Sequence, residues 1–280
     1  MDAECYVEMF RRRERTKVSA MKCSEIMECL EELSPKSFAE GWDNVGLLCG
    51  RKEKEVNCIY IALDATGEVI DAAIAANADM LITHHPMIFK PLKQIHSDDF
   101  IGNRILKLAE HGIAYYAMHT NFDVMGMADA VADELNLQDR KVLMVTYEDE
   151  IAKEGIGRIG ALPQTMSLAE CAQYVKKSCQ IEHVKVFGNP ADTMIMAAVC
   201  PGAGKSSIED AIRQGADVLI TGDIDHHEGI DAVERGLAII DAGHYGLEKI
   251  FVPYMLEYCK RKFGNMKVYA EAERNPFWIL

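Results

Sequence analysis

The chain has 280 residues, 49% of them hydrophobic and 26% charged, which is enough apolar side chain to bury a large core in one or two α/β lobes. Its 30 basic residues stand against 44 acidic ones, and the resulting net charge of -14 repels phosphate backbones and anionic lipid surfaces, setting nucleic-acid and membrane partners aside. No apolar stretch approaches the roughly 20 residues that span a bilayer, and the opening mixes Glu with Arg instead of leading into an apolar signal core, so a cytoplasmic protein is expected.

Residues 1–20, with Arg11-Arg12-Arg13-Glu14-Arg15, read as a charged extension, and Met21 opens the first lobe, 21–138. An apolar run, Ile59 to Leu63, precedes a helical stretch from Glu68 to Ala76 and then Ala78-Asp79-Met80-Leu81-Ile82-Thr83-His84-His85. Gly112-Ile113-Ala114-Tyr115-Tyr116 leads to His119, with Asp123 four residues further on. The second lobe, 139–280, begins with a strand or hairpin around Gly155 to Gly160 and a helix from Ser167 to Ser178. Then the first plan recurs: Ile195 to Val199, the Pro201-Gly202-Ala203-Gly204 turn, a helix from Ser207 to Gln214, and Ala216-Asp217-Val218-Leu219-Ile220-Thr221-Gly222-Asp223. Gly236-Leu237-Ala238-Ile239-Ile240 leads to His244, and Glu248 follows it by four. An amphipathic helix near Leu247 to Phe263 and a short strand at Val268 to Ala270 close the chain.

Short apolar runs alternating with helical patterns signal buried parallel strands joined by helical crossovers, so the fold class is α/β, with two internally repeated lobes. In such sheets ligand-bearing residues lie just past the carboxyl ends of the strands. Two similar halves facing across a pseudo-twofold bring both sets of strand ends to one shared site between them. Consecutive histidines at a strand end point to different sides, so His84 and His85 suit two different ions. His244 and Glu248 share one helix face at i,i+4 spacing, and Asp123 adds a terminal oxygen. Three neutral imidazoles and two carboxylates carry -2 against +4 from two divalent cations, an excess that favours an anionic substrate. Nitrogen and oxygen donors without thiolate suit zinc, iron or manganese.

His119 lies beside this set, where ligation, a hydrogen bond to Asp123 or proton movement are all open to it. Asp223, Asp225, His226 and His227 occupy the second half's counterpart of the His84-His85 loop; Asp223 and His226 are candidates for supporting the ligands or touching substrate, and His227, with His119, for proton transfer. Asp225-His226-His227 resembles a phosphoesterase signature, but the companion Asp-x-Asp is missing. Gly204-Lys205-Ser206 resembles a phosphate loop, yet Val199 stands where that loop needs glycine, which leaves Gly204 only as a weaker phosphate contact at a helix start. The nine cysteines include no C-x-x-C pair and read as reduced thiols, several in the core.

Trp42-Asp43-Asn44-Val45-Gly46-Leu47, Thr83-His84-His85-Pro86, His119-Thr120-Asn121-Phe122-Asp123, Thr221-Gly222-Asp223 with His226-His227, and Gly243-His244-Tyr245 with Glu248 carry a resemblance to a known family. From Met21 to Phe277 the sequence resembles the dinuclear-metal, hexamer-forming proteins called GTP cyclohydrolase I type 2 or Nif-three-like proteins. The resemblance implies two interlocked lobes, a homohexamer, ligation by His84, His85, Asp123, His244 and Glu248 with Glu248 as the bridge, and a place for Asp43 beside the site. Leu247 and Glu273-Arg274-Asn275 depart from the family pattern without removing a ligand. The expected activity is metal-dependent hydrolysis, of the guanine imidazole ring as in the family name or of another nucleotide-like or phosphorylated metabolite. The alternative is a non-catalytic ring that stores metal or binds a regulatory partner.

Overall fold

The computed structural model describes residues 20–280; the sequence reading of residues 1–19 lies outside that range. The first half contains strands β1 (Met21–Lys22), β2 (Gly46–Cys49), β3 (Glu55–Val56), β4 (Cys58–Ala62), β5 (Met80–Thr83) and β6 (Ala114–Ala117). The second contains β7 (Gln138–Glu148), β8 (Lys153–Ser167), β9 (Lys185–Phe187), β10 (Thr193–Ala203), β11 (Val218–Gly222) and β12 (Ala238–Asp241), and β13 (Lys267–Ala270) is the last strand. Strands β4, β5 and β6 run parallel, as do β10, β11 and β12, so the repeat seen in the sequence is a repeat of three-stranded parallel cores. Every residue of β4, β5, β6, β11 and β12 is buried, as continuous apolar runs covered on both faces require.

The sheets then diverge in what is added at their edges. The first has the order β13-β4-β5-β6-β2; the second, β7-β8-β10-β11-β12-β9, gains the long antiparallel hairpin β7–β8, which the glycine-containing run around Gly155 had marked. Helix starts fall where side-chain caps stand: the Thr66 oxygen accepts from Val69 N–H, the Asp99 carboxylate from Gly102 N–H, and Ser167 forms a reciprocal box with Glu170. All eight cysteines among the described residues are free thiols.

One assignment differs from the sequence reading and explains how the halves hold together. The sequence assigns the tail to the second lobe with one helix near Leu247 to Phe263, but the structure has two, His244–Glu248 and Phe251–Phe263. The longer one buries Phe251, Met255, Cys259 and Phe263 against Ile26, Leu30, Ile59 and Ile61 of the first half, and β13 pairs with β4. In the reverse sense, Phe122 and Met127 pack in the first core, while Val131, Ala132 and Leu135 on and after helix Ala128–Glu134 pack in the second core with Val199, Val218 and Ile220. Each half therefore sends the helix that follows its last parallel strand into the core of the other, and the lobes are interlocked. The two chain segments that cross are the ones bearing Asp123 and Glu248.

Candidate metal centre between the crossing segments

The ends of β5, β6, β11 and β12 converge here. Thr83 closes β5, and its hydroxyl donates to His85 C=O (2.8 Å); the Tyr115 hydroxyl on β6 donates to the same carbonyl (3.0 Å) and accepts from Met87 N–H (2.9 Å). These bonds fix the His84-His85 turn from a buried strand, so its imidazoles do not depend on a mobile loop for their aim. Asp123 begins a π-helical turn, Asp123–Met127, whose wider winding is a frequent companion of functional side chains. Glu248 ends the one-turn helix that starts at His244.

Four imidazoles are held in one orientation by the same device. The Nδ1 of His84 faces Met118 C=O (2.8 Å), that of His85 faces Asp64 Oδ1 (2.8 Å), that of His244 faces Asp223 Oδ2 (2.8 Å), and that of His119 faces Asp43 Oδ1 (2.9 Å). Each of these oxygens can only accept, so each Nδ1 carries a proton and Nε2 is the nitrogen that a cation would meet. Oxygen partners behind metal-binding histidines do this commonly, and also raise the basicity of the ligating nitrogen.

Three of the Nε2 atoms meet carboxylate oxygens. Glu248 Oε2 lies 2.9 Å from His85 Nε2 and 2.9 Å from His244 Nε2, and those two nitrogens are 3.2 Å apart. On the other side, His84 Nε2 is 3.5 Å from Asp123 Oδ1 and 3.8 Å from Glu248 Oε1. Donor atoms about 2.1 Å from a shared ion stand about 3.0 Å apart at right angles and about 3.4 Å apart at tetrahedral angles, and these separations, 2.9 to 3.8 Å, spread around those values. His84 Nε2, Asp123 Oδ1 and Glu248 Oε2 are buried without a hydrogen-bond partner, a costly condition that a cation removes. The groups able to hold an ion are His84 with Asp123 and Glu248, His85 with His244 and Glu248, and His84 with His85 and His119. The residues fit divalent metal, and Glu248 belongs to two of the groups through different oxygens.

Without cations the cluster is electrostatically frustrated. Burial, reinforced by the Glu248 charge, pushes the Asp123 carboxyl up to about 7, while Glu248 stays ionised far below the carboxylate range because the imidazoles, His84 first among them, outweigh its burial. Burial pulls His85 down, but Asp64 and Glu248 overcome it and lift the ring to about 10; Glu248, against burial, lifts His244 to about 9. Both histidines lie above their ordinary value of about 6.5. The stability they contribute is therefore complete below about pH 6.5 and lost as pH rises through 9 to 10. Chelator-treated protein is expected to lose melting temperature steadily from pH 7 to pH 10, and metal-loaded protein to lose much less, because the ion replaces the proton. Parallel melting curves for the two forms would contradict this.

Asp64 was not singled out from the sequence, although it stands just past β4, at a strand end like every other residue of the site. Asp64→Asn removes the anion behind His85 and admits the wrong tautomer. A ten- to hundredfold weaker metal affinity is expected by competition titration, the usual scale for partners behind a ligand. Gly202 was also missed. At φ +76° it presses so close that a Cβ there would lie 2.5 Å from Glu248 Oε1, so glycine is what leaves that oxygen its place.

The remaining candidates divide. His119 stands with its ring 5.3 Å from that of His84 and 5.6 Å from that of His85, and its carboxylate partner is Asp43 and not Asp123. Asp43 also accepts from Thr120 N–H (3.0 Å) and from the Thr120 hydroxyl (2.5 Å); with His119 these bonds overcome its burial and hold it at about 2. Asp223, in the left-handed region at φ +56°, turns its carboxylate back onto His244. His226 and His227 are exposed on the first turn of helix His226–Glu234, touching each other at 5.2 Å and joining none of the metal-capable groups. Gly204 is buried, and a Cβ there would strike Thr221 Oγ1 at 1.8 Å; its glycine serves close packing against β11 instead of cradling a phosphate.

Comparison with known proteins shows what the chain is similar to. A Clostridium acetobutylicum protein named GTP cyclohydrolase 1 type 2 homolog is 37% identical over 82% of this chain and 86% of its own length. A Bacillus subtilis protein of the same name is 28% identical over 91% of this chain and 98% of its own; that alignment runs to 367 residues, so the relative carries an insertion this chain of 280 lacks. Among solved structures, a Bacillus cereus protein related to NIF3 superposes with a TM-score of 0.85 at 28% identity, covering 93% of this chain and 99% of the other. No helix among the described residues is long and apolar enough to cross a membrane. The family model described as Duf34/NIF3 (NGG1p interacting factor 3) matches residues 21–276, and the chain belongs to that family.

Proposed function

We propose that this chain is a dinuclear-metal-dependent hydrolase of nucleotide-like or phosphorylated metabolites, with His84, His85, Asp123, His244 and Glu248 as ligands. The observation that carries the reading is Glu248, buried and ionised, with one oxygen toward the His84–Asp123 side and the other between His85 and His244. Two divalent ions, zinc, iron or manganese by donor chemistry, would supply Lewis acidity and lower the pKa of water toward 7. His119 supplies the general base: Asp43 fixes its Nδ1–H and stabilises the imidazolium, so Nε2 takes a proton at the face of the cluster and returns it to a leaving group. Asp64 and Asp223 keep the ligating imidazoles in one tautomer through the reaction.

The relatives' name makes GTP the first substrate to try, with hydrolytic opening of the guanine imidazole ring and release of formate as the reaction. Metal-replete protein incubated with GTP should release formate, and His119→Gln should lower the rate by about a hundredfold or more without removing metal. No turnover of GTP or of a nucleotide and phosphoester panel, with two metals tightly retained, would replace this reading by a metal-storing or partner-binding one. That second reading draws on the words "interacting factor" in the family description. The family resemblance further supports a homohexamer working in the cytoplasm, for which sedimentation of the intact chain is the direct check.

A further inference from the structure

We propose that Trp42 and Phe89 are the seat for a planar heteroaromatic ring of the substrate, held at the mouth of the imidazole–carboxylate cluster; this rests on the hydrolase reading above and specifies its substrate class. Trp42 is 59% exposed and Phe89 48%, an unusual amount of aromatic surface to leave in water beside a buried polar site. Their rings lie nearly parallel, 23° apart with centroids at 5.9 Å. Both meet His119 edge-on, Trp42 at 6.0 Å and Phe89 at 5.7 Å, and His119 in turn meets His84 and His85. A row of rings therefore runs from solvent to the cluster.

The pair is positioned by polar bonds and not by burial. Asp43, next to Trp42, binds His119 Nδ1 and Thr120. Asn44 Nδ2 donates to the carbonyl of Ile88, next to Phe89 (2.6 Å), which ties the two loops to each other. Glu40 N–H donates to the Thr120 hydroxyl (2.9 Å) and closes the other side. Trp42 stands one residue from the bond that orders the general base and Phe89 one residue from the bond that ties the two loops, so the two exposed rings are pre-organised at the cost of leaving their faces wet. A flat π-system recovers that cost by stacking, and every nucleobase offers such a face, whereas a sugar phosphate or an alkyl phosphate does not. The pair selects for flatness and aromaticity, while the cations select for the anionic group.

The chain has two tryptophans, and Trp278→Phe leaves Trp42 as the only reporter. Titrating that full-length, metal-replete variant with GMP, AMP and ribose 5-phosphate should give saturable quenching of Trp42 emission with the two nucleotides and none with the sugar phosphate. Phe89→Ala should weaken the nucleotide affinity about tenfold, and Phe89→Tyr should restore it. In turnover, Trp42→Leu should raise KM about tenfold with kcat little changed. Absence of quenching, equal quenching by ribose 5-phosphate, or Trp42 emission that changes on dilution because a second copy covers the ring would each overturn the proposal. Quenching without turnover of any nucleotide sustains the seat and removes the hydrolase reading; turnover with KM unmoved in Trp42→Leu does the reverse.

Discussion

Glu248→Gln is expected to yield a folded chain that retains at most one metal ion, with affinity for the ions lowered by more than about a hundredfold and hydrolysis abolished. The carboxylate is 3% exposed and contacts His85 and His244 with one oxygen while the other faces His84. An amide of the same shape keeps one acceptor oxygen but puts an N–H₂, which has no lone pair for an ion, where the second oxygen stood, and it removes one of the two negative charges. Asp123 alone is left to balance +4, and the loss falls on both groups that share Glu248. Elemental analysis and competition titration against a chelator read the stoichiometry directly. Two ions per chain in the variant at unchanged affinity would remove Glu248 from the bridge.

Arg158→Ala carries the largest expected loss of stability. The guanidinium is 6% exposed and makes a fork to Asp129 (2.8 and 2.7 Å), bonds to Gly155 C=O and Gly157 C=O (2.9 Å each), and a bond to Val124 C=O (3.2 Å). It thereby ties β8 of the second half to the π-helical turn that follows Asp123. Truncation leaves three carbonyls and a half-exposed carboxylate without their donor. A cost of about 3 kcal/mol follows, and a fall of roughly 6–10 °C in melting temperature. Freed from Arg158, the turn at Val124 loosens, so metal affinity should fall with stability. Arg158→Lys should recover little of either, since an ammonium cannot reproduce a planar fork with five donors. A melting temperature within about 1 °C of the parent would show that the network is replaceable by water.

Much of the site was legible because of one rule applied twice. Histidines or carboxylates at corresponding strand ends of a repeat are hard to assign to packing, and the residues so chosen, His84, His85, Asp123, His244 and Glu248, meet within a few ångströms. The same rule reaches Asp64 past β4, where a lone aspartate with no histidine beside it gave no pattern to catch the eye. Gly202, near the end of β10, and Gly204, just past it, stand two apart and are indistinguishable as letters; only coordinates reveal that one clears Glu248 and the other packs on Thr221. His226 and His227 occupy the counterpart of the His84-His85 loop, but they begin a helix, where they are exposed, instead of ending a buried strand.

The parallel strands of the two cores, their repeat and the donor chemistry were legible in the sequence, because these follow from local periodicity and from residue type. Which core each terminal helix enters was decided by tertiary structure alone. The apolar stripe of Phe251–Phe263 states that one face must be buried, and any apolar surface of matching width satisfies it. Only the packed molecule selects the opposite sheet, and that exchange is what carries Asp123 and Glu248 to the same point.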